Sequence, residues 1–370
     1  MAKTNYVVGG LDLGSGGLKG VFYYLKNREP VIEQIIKPTW IKKGAFSLSS
    51  SGQSEKSNGT RITIADEIWT VGCPTKVGNT VGIPRLTDNS RTAGMDFLLQ
   101  EQGIPNENTV CIFTLAIPTA LYFKKAGVDI VPNKELINDV KQSIFNSNYN
   151  IKADALRVLP EAMGPYIEHT TDEHGYPQNE CLDSIYALDV GFNSFDIARL
   201  VPNLDGEFFV DREHCTSIDN KGVGGALSVL NKLIIASYAE LGVPITNKLS
   251  VPQIRYILNH GKISIKGELL ECVNSITEAK STQVTEIYDT VWPILNEMPY
   301  EKALLAGGGV PFFGELINDT LFPNLVKMEQ ISAASGLCKD AMVTMHNMAL
   351  DASGKDNMSY GQALRYLEKQ

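Results

Sequence analysis

The sequence predicts an α/β protein of two lobes, each built on the same unit, with a cleft between them. Three observations carry this. Residues 10–15 (GLDLGS) and 187–194 (ALDVGFNS) share a strand–Asp–x–Gly–turn–strand pattern about half a chain apart. Each copy opens a run of strands that gives way to helical stretches. The chain has 370 residues, long for one compact domain and sufficient for two cores.

The elements follow in order. Residues 6–13 read as a strand, a glycine-rich turn follows, and residues 18–25 and 31–36 read as further strands. A hairpin at this point, rather than a strand feeding a helix, excludes a Rossmann dinucleotide site at the first glycines. Residues 47–60 (SLSSSGQSEKSNGT) hold six serines and two glycines. Such a stretch buries too little apolar area to offset its ordering entropy and is expected as a surface loop. A hairpin over 61–64 and 68–71 comes next. Residues 109–117 (TVCIFTLAI) form an apolar run stopped by Pro118, the pattern of a strand buried on both faces. A capped helix over 133–146 and a strand over 156–159 close the first half. The second half predicts strands over 184–191, 195–201 and 208–215, then helices over 222–241, 250–259 and 267–297. A strand over 303–309, a helix from 311, a helix near 331–348 and a polar, frayed tail complete the chain. The expected division is a first lobe over 1–165, with a variable insertion at about 38–100, a second over 166–345, and a segment 346–370 returning to the first.

Composition narrows the function classes. The formal net charge is −9, so the body repels phosphate backbones and direct nucleic-acid binding is not expected. The N-terminus has no signal-peptide core, and no run reaches the roughly 18 apolar residues of a spanning helix, so no membrane partner is expected. The six cysteines, Cys73, Cys111, Cys181, Cys215, Cys272 and Cys338, form no CxxC pair and read as reduced, largely buried thiols of a cytoplasmic protein.

Three segments carry chemistry. In Asp12-Leu13-Gly14-Ser15-Gly16-Gly17-Leu18-Lys19, Gly14, Gly16 and Gly17 allow backbone N–H groups to approach phosphate oxygens. Ser15 adds a hydroxyl, Lys19 a cation, and Asp12 a ligand for Mg²⁺ or its water shell. Asp189-Val190-Gly191-Phe192-Asn193-Ser194-Phe195-Asp196 repeats the device, with Asp189 as second metal-side carboxylate, Gly191, Asn193 and Ser194 as phosphate contacts, and no role given to Asp196. Two such turns suffice to clamp a polyphosphate. In the third, a buried strand ends in Gly307-Gly308-Gly309 before a helix, which places bare backbone beside a ligand-sized gap. Each segment alone could be a structural turn.

Together they resemble the actin, sugar-kinase and heat-shock-chaperone superfamily. Asp12-x-Gly14-Ser15 with Lys19 is similar to the first phosphate motif of actin, Asp189-x-Gly191 to the second, and Gly307–Gly309 to the adenosine motif. Pro160-Glu161 resembles the connecting segment of plasmid-segregation actins of the ParM/StbA type. The resemblance implies a two-lobed actin-like, ribonuclease H-like duplicated fold and Mg²⁺-dependent hydrolysis of ATP or GTP. Glu161 would position the attacking water, and Lys221 and Gly224 would lie near the ribose. It also implies a homopolymeric filament linked to plasmid DNA by an adaptor protein. Phe192 and Asn193-Ser194 depart from the usual residues of the second motif. A non-polymerising ATPase or a small-molecule kinase on the same fold is the alternative, although no substrate base stands out.

Overall fold

The computed structural model of the protein describes residues 4–14, 16–38, 41–44, 59–72, 86–126, 129–178, 184–202, 208–243 and 248–370. Ser15, most of the serine-rich stretch, Cys73 and Cys181 lie outside them.

The first half opens with β1 (Asn5–Leu13), β2 (Leu18–Lys26) and β3 (Glu29–Lys37). A separate three-stranded sheet follows, β4 (Ile41–Lys43), β5 (Thr60–Ile64) and β6 (Glu67–Val71). Then come α1 (Asn89–Glu101), β7 (Thr109–Ile117), the short α2 (Thr119–Tyr122) and a hairpin, β8 (Phe123–Ala126) with β9 (Asp129–Pro132). Helix α3 (Lys134–Ile144), β10 (Asn150–Ile151), β11 (Arg157–Pro160) and α4 (Met163–Thr170) complete it.

The second half has β12 (Ile185–Val190), β13 (Ser194–Pro202) and β14 (Phe208–Asp219), then α5 (Val223–Glu240) and α6 (Val251–His260). A hairpin, β15 (Lys262–Ile265) with β16 (Glu268–Glu271), leads into α7 (Val273–Leu295). Strand β17 (Lys302–Ala306), the one-turn α8 (Val310–Phe313), β18 (Leu325–Lys327), α9 (Ser332–Ser353) and α10 (Tyr360–Leu367) end the chain.

The repeat suspected from the two Asp-x-Gly turns extends to whole sheets. In the first, β1 pairs antiparallel with β2 and parallel with β7, and β2 carries β3 at the edge. In the second, β12 pairs antiparallel with β13 and parallel with β17, and β13 carries β14. Parallel strands then extend both sheets on the far side, β10 and β11 beside β7 and β18 beside β17. Asp12 and Asp189 therefore occupy equivalent places near the C-terminal ends of equivalent central strands.

The first sheet is covered on one face by α1 and α3 through a core that includes Phe22, Leu98, Phe113 and Ile144. Its other face packs on α9 and α10 through Val8, Val21, Ile112, Ala334, Met342 and Leu364. Glycine makes the α9 contact possible. A Cβ on Gly10 would lie 2.1 Å from Cys338 N and 2.2 Å from Ala334 O, so β1 and the helix touch backbone to backbone. Farther along the same helix, a Cβ on Gly336 would overlap the Gly164 carbonyl oxygen, and one on Gly164 would lie 2.4 Å from Ala333 O. Helix α4, which follows Glu161, is thus held against α9 by two facing glycines.

Three elements differ from the sequence reading. The stretch expected as helix from 267 is a hairpin up to Glu271, because Lys266 and Gly267 turn with positive φ (52° and 90°). The tail expected to fray contains α10, capped by reciprocal Ser359 and Gln362 hydrogen bonds and buried through Leu364 and Leu367. Helix α1, within the segment taken as an insertion, buries every residue from Ser90 to Leu99. With no polar face, its sequence shows no amphipathic stripe.

Replacing Gly336 by Ala is expected to destabilise the chain by about 2 kcal/mol or more, since the added methyl meets backbone rather than a movable side chain. Urea unfolding of wild type and variant measures this; equal midpoints would mean that α4 and α9 are not in close contact.

Candidate functional site

The connection from β1 to β2 is closed by a hydrogen bond from Gly14 N to Gly17 O (3.1 Å), and the register sets Asp12 opposite Lys19. Their side chains meet as a buried ion pair of 2.6 Å. The equivalent turn is closed from Gly191 N to Ser194 O (3.0 Å), and there Asp189 faces Asp196. Both turns open into one cleft of about 700 Å³ between the two sheets, a volume suited to a ligand of nucleotide size.

The cleft wall takes Asp12, Gly14, Gly16, Gly17 and Lys19 from the first turn and Asp189, Gly191, Asn193 and Ser194 from the second. Glu161 joins them from the far side of β7, its backbone N donating to Ile117 O (2.8 Å). Of the three successive glycines, Gly308 lines the cleft. Gly307 and Gly309 support the second turn from behind. Gly307 has φ of 101°, a Cβ there would lie 2.4 Å from Asp189 Oδ1, and Gly309 N donates to Val190 O (2.8 Å). Lys221 is paired with Glu286 at 2.7 Å and, like Gly224, is not among the lining residues described. Gly224 and Val223 donate their backbone N–H groups to Phe192 O (2.7 Å) and Gly191 O (3.2 Å), which ties the start of α5 to the second turn. Ser194 gives its hydroxyl to Asp196 Oδ2 (2.8 Å).

Phe192, the departure noted in the second motif, has a packing role. A Cβ on Gly16 would lie 2.9 Å from the Phe192 Cβ, so the two turns approach each other across the cleft through this side chain.

The sequence reading missed Arg91, Asp196 and Ser217. Arg91 is 2% exposed and donates to the Ala116 carbonyl from Nη2. Asp196 accepts from Ser194, from Ser217 and, across the two sheets, from Thr119 N (3.2 Å). A signal for Asp196 existed. It follows Asp189 by seven positions, as Lys19 follows Asp12, so the repeat places it opposite the turn. Arg91 had none, being far in sequence and within the patternless α1.

The site is strongly charged, and Asp12, Lys19, Arg91, Asp189 and Asp196 are all buried. Burial pulls Lys19 toward neutrality, but Asp12, Asp189 and Glu161 outweigh it and hold the amine above its ordinary pKa. Burial raises Glu161 well above the usual carboxylate range, reinforced by Asp196, Asp12 and Asp189 and opposed by Arg91. Asp189 is pushed up to about 7 by burial, with Lys19 working against the shift and Asp12 and Asp196 adding to it. Four carboxylates thus face two cations, Lys19 and Arg91. An added cation would relieve that excess, and Mg²⁺, which keeps several waters and takes only one or two protein carboxylates beside phosphate, fits Asp12 and Asp189. Among the described residues no group of three or more His, Cys, Asp or Glu could form a direct all-protein metal cage.

No family model matches the chain, and no curated protein matches it. Solved structures do. A non-polymerisable quadruple mutant of pCBH ParM superposes with a TM-score of 0.65 at 17% identity, over 91% of this chain and 98% of that one. The fold is actin-like, of the ParM type. A 15-stranded ParM filament from Clostridium botulinum gives a TM-score of 0.61 at 18% identity over 92% and 99% of the two chains. The archaeal actin homolog Ta0583, in complex with ADP, gives 0.60 at 19% identity over 91% and 98%. Among the described residues of this actin-like chain no helix is long and apolar enough to cross a membrane.

The raised Asp189 gives a pH dependence in the ligand-free chain. Between the ordinary aspartate pKa and about 7 the folded state binds the extra proton, so stability falls as pH rises through this window and stays low above it. Asp189→Asn removes that penalty. At pH 8 the variant should be more stable than wild type by up to roughly 4 kcal/mol, and at pH 5 by only about 1.5 kcal/mol, the gap closing as pH falls toward the ordinary aspartate pKa. Denaturant unfolding at both pH values in EDTA checks this; a gap independent of pH would show that Asp189 ionises normally.

Proposed function

We propose that this chain is a Mg²⁺-dependent NTPase that hydrolyses ATP or GTP and polymerises into dynamic filaments. The observation that carries the reading is the convergence of two equivalent Asp-x-Gly turns and Glu161 on one cleft of nucleotide size in an actin-like fold. Two similar structures support its two halves, one a ParM filament and the other an actin homolog in complex with ADP.

The phosphates lie between the two turns, held by backbone N–H groups of Gly16, Gly17 and residues 192–194, those of Gly14 and Gly191 closing the turns themselves, with Lys19 as the cation beside them. Asp12 and Asp189 would hold the water shell of Mg²⁺, which when bound supplies charge neutralisation on the phosphates. Glu161 accepts a hydrogen bond from the attacking water and orients its oxygen toward the terminal phosphorus. The new P–O bond forms as the bond to the leaving diphosphate oxygen breaks, and the bonding pair stays with that oxygen. Positioning and charge stabilisation account for most of such a step, which needs no covalent intermediate. Lys221, Gly224, Gly307 and Gly309 act behind or beside this cleft, at its nucleoside end.

Because the turns belong to different sheets, a nucleotide held by both draws the sheets together and favours subunit contacts, and loss of the terminal phosphate weakens them. With a net charge of −9 the body repels phosphate backbones; in the cytoplasm a DNA-binding adaptor would link the filament to plasmid cargo.

Light scattering and pelleting beside phosphate release, with Mg-ATP and with Mg-GTP, test the reading. Scattering should rise on nucleotide addition and decay as phosphate appears. Phosphate release without assembly at any concentration would remove the cytoskeletal half and leave an ATPase or kinase. Glu161→Ala should slow hydrolysis on the order of 100-fold or more while sparing nucleotide binding; unchanged turnover would take Glu161 out of the mechanism.

A further inference from the structure

Arg91 is a charged, buried cleft residue to which neither the motifs nor the reading above assigns a task. It enters from α1, is 2% exposed, and lines the cleft with Asp12 and Glu161. Its hydrogen bond among the described residues runs from Nη2 to the Ala116 carbonyl, and Nε has no partner. A guanidinium kept out of water without a carboxylate in ion-pair contact is costly, and an apolar residue of similar length would fill a core more cheaply. Simple packing therefore does not explain it.

The backbone of β7 shows where the charge sits. Ile117 O accepts from Glu161 N on the β11 side of the strand (2.8 Å). Successive carbonyls of a strand point to opposite neighbours, so Ala116 O, which holds Arg91, faces the β1 side. There β1 runs parallel, with Leu11 beside Leu115 and Asp12 next in line. Consecutive carbonyls at the end of one strand thus anchor the guanidinium and the backbone of Glu161, with Asp12 on the other flank.

We propose that Arg91 is a positioning residue for nucleotide hydrolysis: anchored on Ala116 O between the ends of β1 and β7, its guanidinium orients the Glu161 carboxylate by charge across the cleft wall rather than through an ion-pair contact. The inference rests on the NTPase reading and names a part of its machinery. It explains the α1 location, because the helix is buried on all sides and carries the arginine on a rigid element.

The test is a double-variant cycle on the full chain, with phosphate release and fluorescent-ADP binding as readouts. Arg91→Met removes the charge while keeping length, and Arg91→Lys keeps the charge without the planar fork. Arg91→Met is expected to lower kcat at least about tenfold with little change in nucleotide affinity. Arg91→Lys should fall between it and wild type. The double variant Arg91→Met/Glu161→Gln should be no slower than Glu161→Gln alone, because the two residues act as one unit. Losses that multiply in the double variant, or wild-type kcat in Arg91→Met, overturn the proposal. Should Arg91→Met fail to fold, as judged by circular dichroism, Arg91→Lys decides: a lower kcat at unchanged affinity upholds the role, and wild-type kcat removes it. Absence of phosphate release from the wild-type chain itself would instead defeat the NTPase reading, separately from any behaviour of Arg91.

Discussion

Four carboxylates and two cations share the space where the ends of β1, β7 and β12 meet, and the rest of the structure is arranged around that concentration of charge. Asp12 is neutralised by Lys19 at 2.6 Å, and Asp196 by donors from Ser194, Ser217 and the Thr119 backbone. Asp189 and Glu161 are left under-compensated, which is why burial and their neighbours raise both. A group held in this state costs stability in the ligand-free chain and gains it back when a cation and phosphates arrive. The site is therefore built for a charged ligand at the expense of the unliganded fold.

That arrangement needs the two sheets held close, and glycine contacts supply this. Gly10 lets α9 lie directly on β1, and the Gly164–Gly336 contact fixes α4, and with it the chain just beyond Glu161, against the same helix. Gly307 leaves room for the Asp189 carboxyl, and Gly16 for Phe192. These glycines matter as places where another backbone or a working side chain comes too near for a Cβ. The hydrogen bond from Thr119 N to Asp196 then joins the end of β7 to the second sheet at the floor of the cleft.

The arrangement also gives a route from chemistry to shape. The proposed phosphate contacts would come from two turns on two sheets, which would couple the separation of the sheets to what lies between the turns. The Glu161 backbone, the Arg91 side chain and the Asp196 carboxyl all meet the C-terminal end of β7 or the first residue of α2, at Ile117, Ala116 and Thr119. A small shift of that strand end would move all three together. The end of β7 is accordingly the place where ligand state and sheet geometry are most directly linked.

Much of this was written locally in the chain. The duplicated α/β architecture, the two Asp-x-Gly turns and the apolar β7 follow from residue types at short spacing, because hairpins, turns and buried strands are decided within about ten residues; Glu161 stood out only through the resemblance of Pro160-Glu161 to a connecting segment. The seven-residue step from Asp12 to Lys19 recurs from Asp189 to Asp196 and could have pointed to Asp196. Other features had no local signature. Helix α1 is buried all round, so no amphipathic period marks it, and Arg91 on it is about seventy positions from Glu161. The Lys266-Gly267 turn overrode a helical-looking stretch, and α10 is stable only because the first sheet's core receives Leu364 and Leu367. The sequence by itself determined which backbone turns and charges this protein has; the tertiary structure alone decided which of them share one cleft, because burial and charge coupling arise only when segments distant in the chain are packed together.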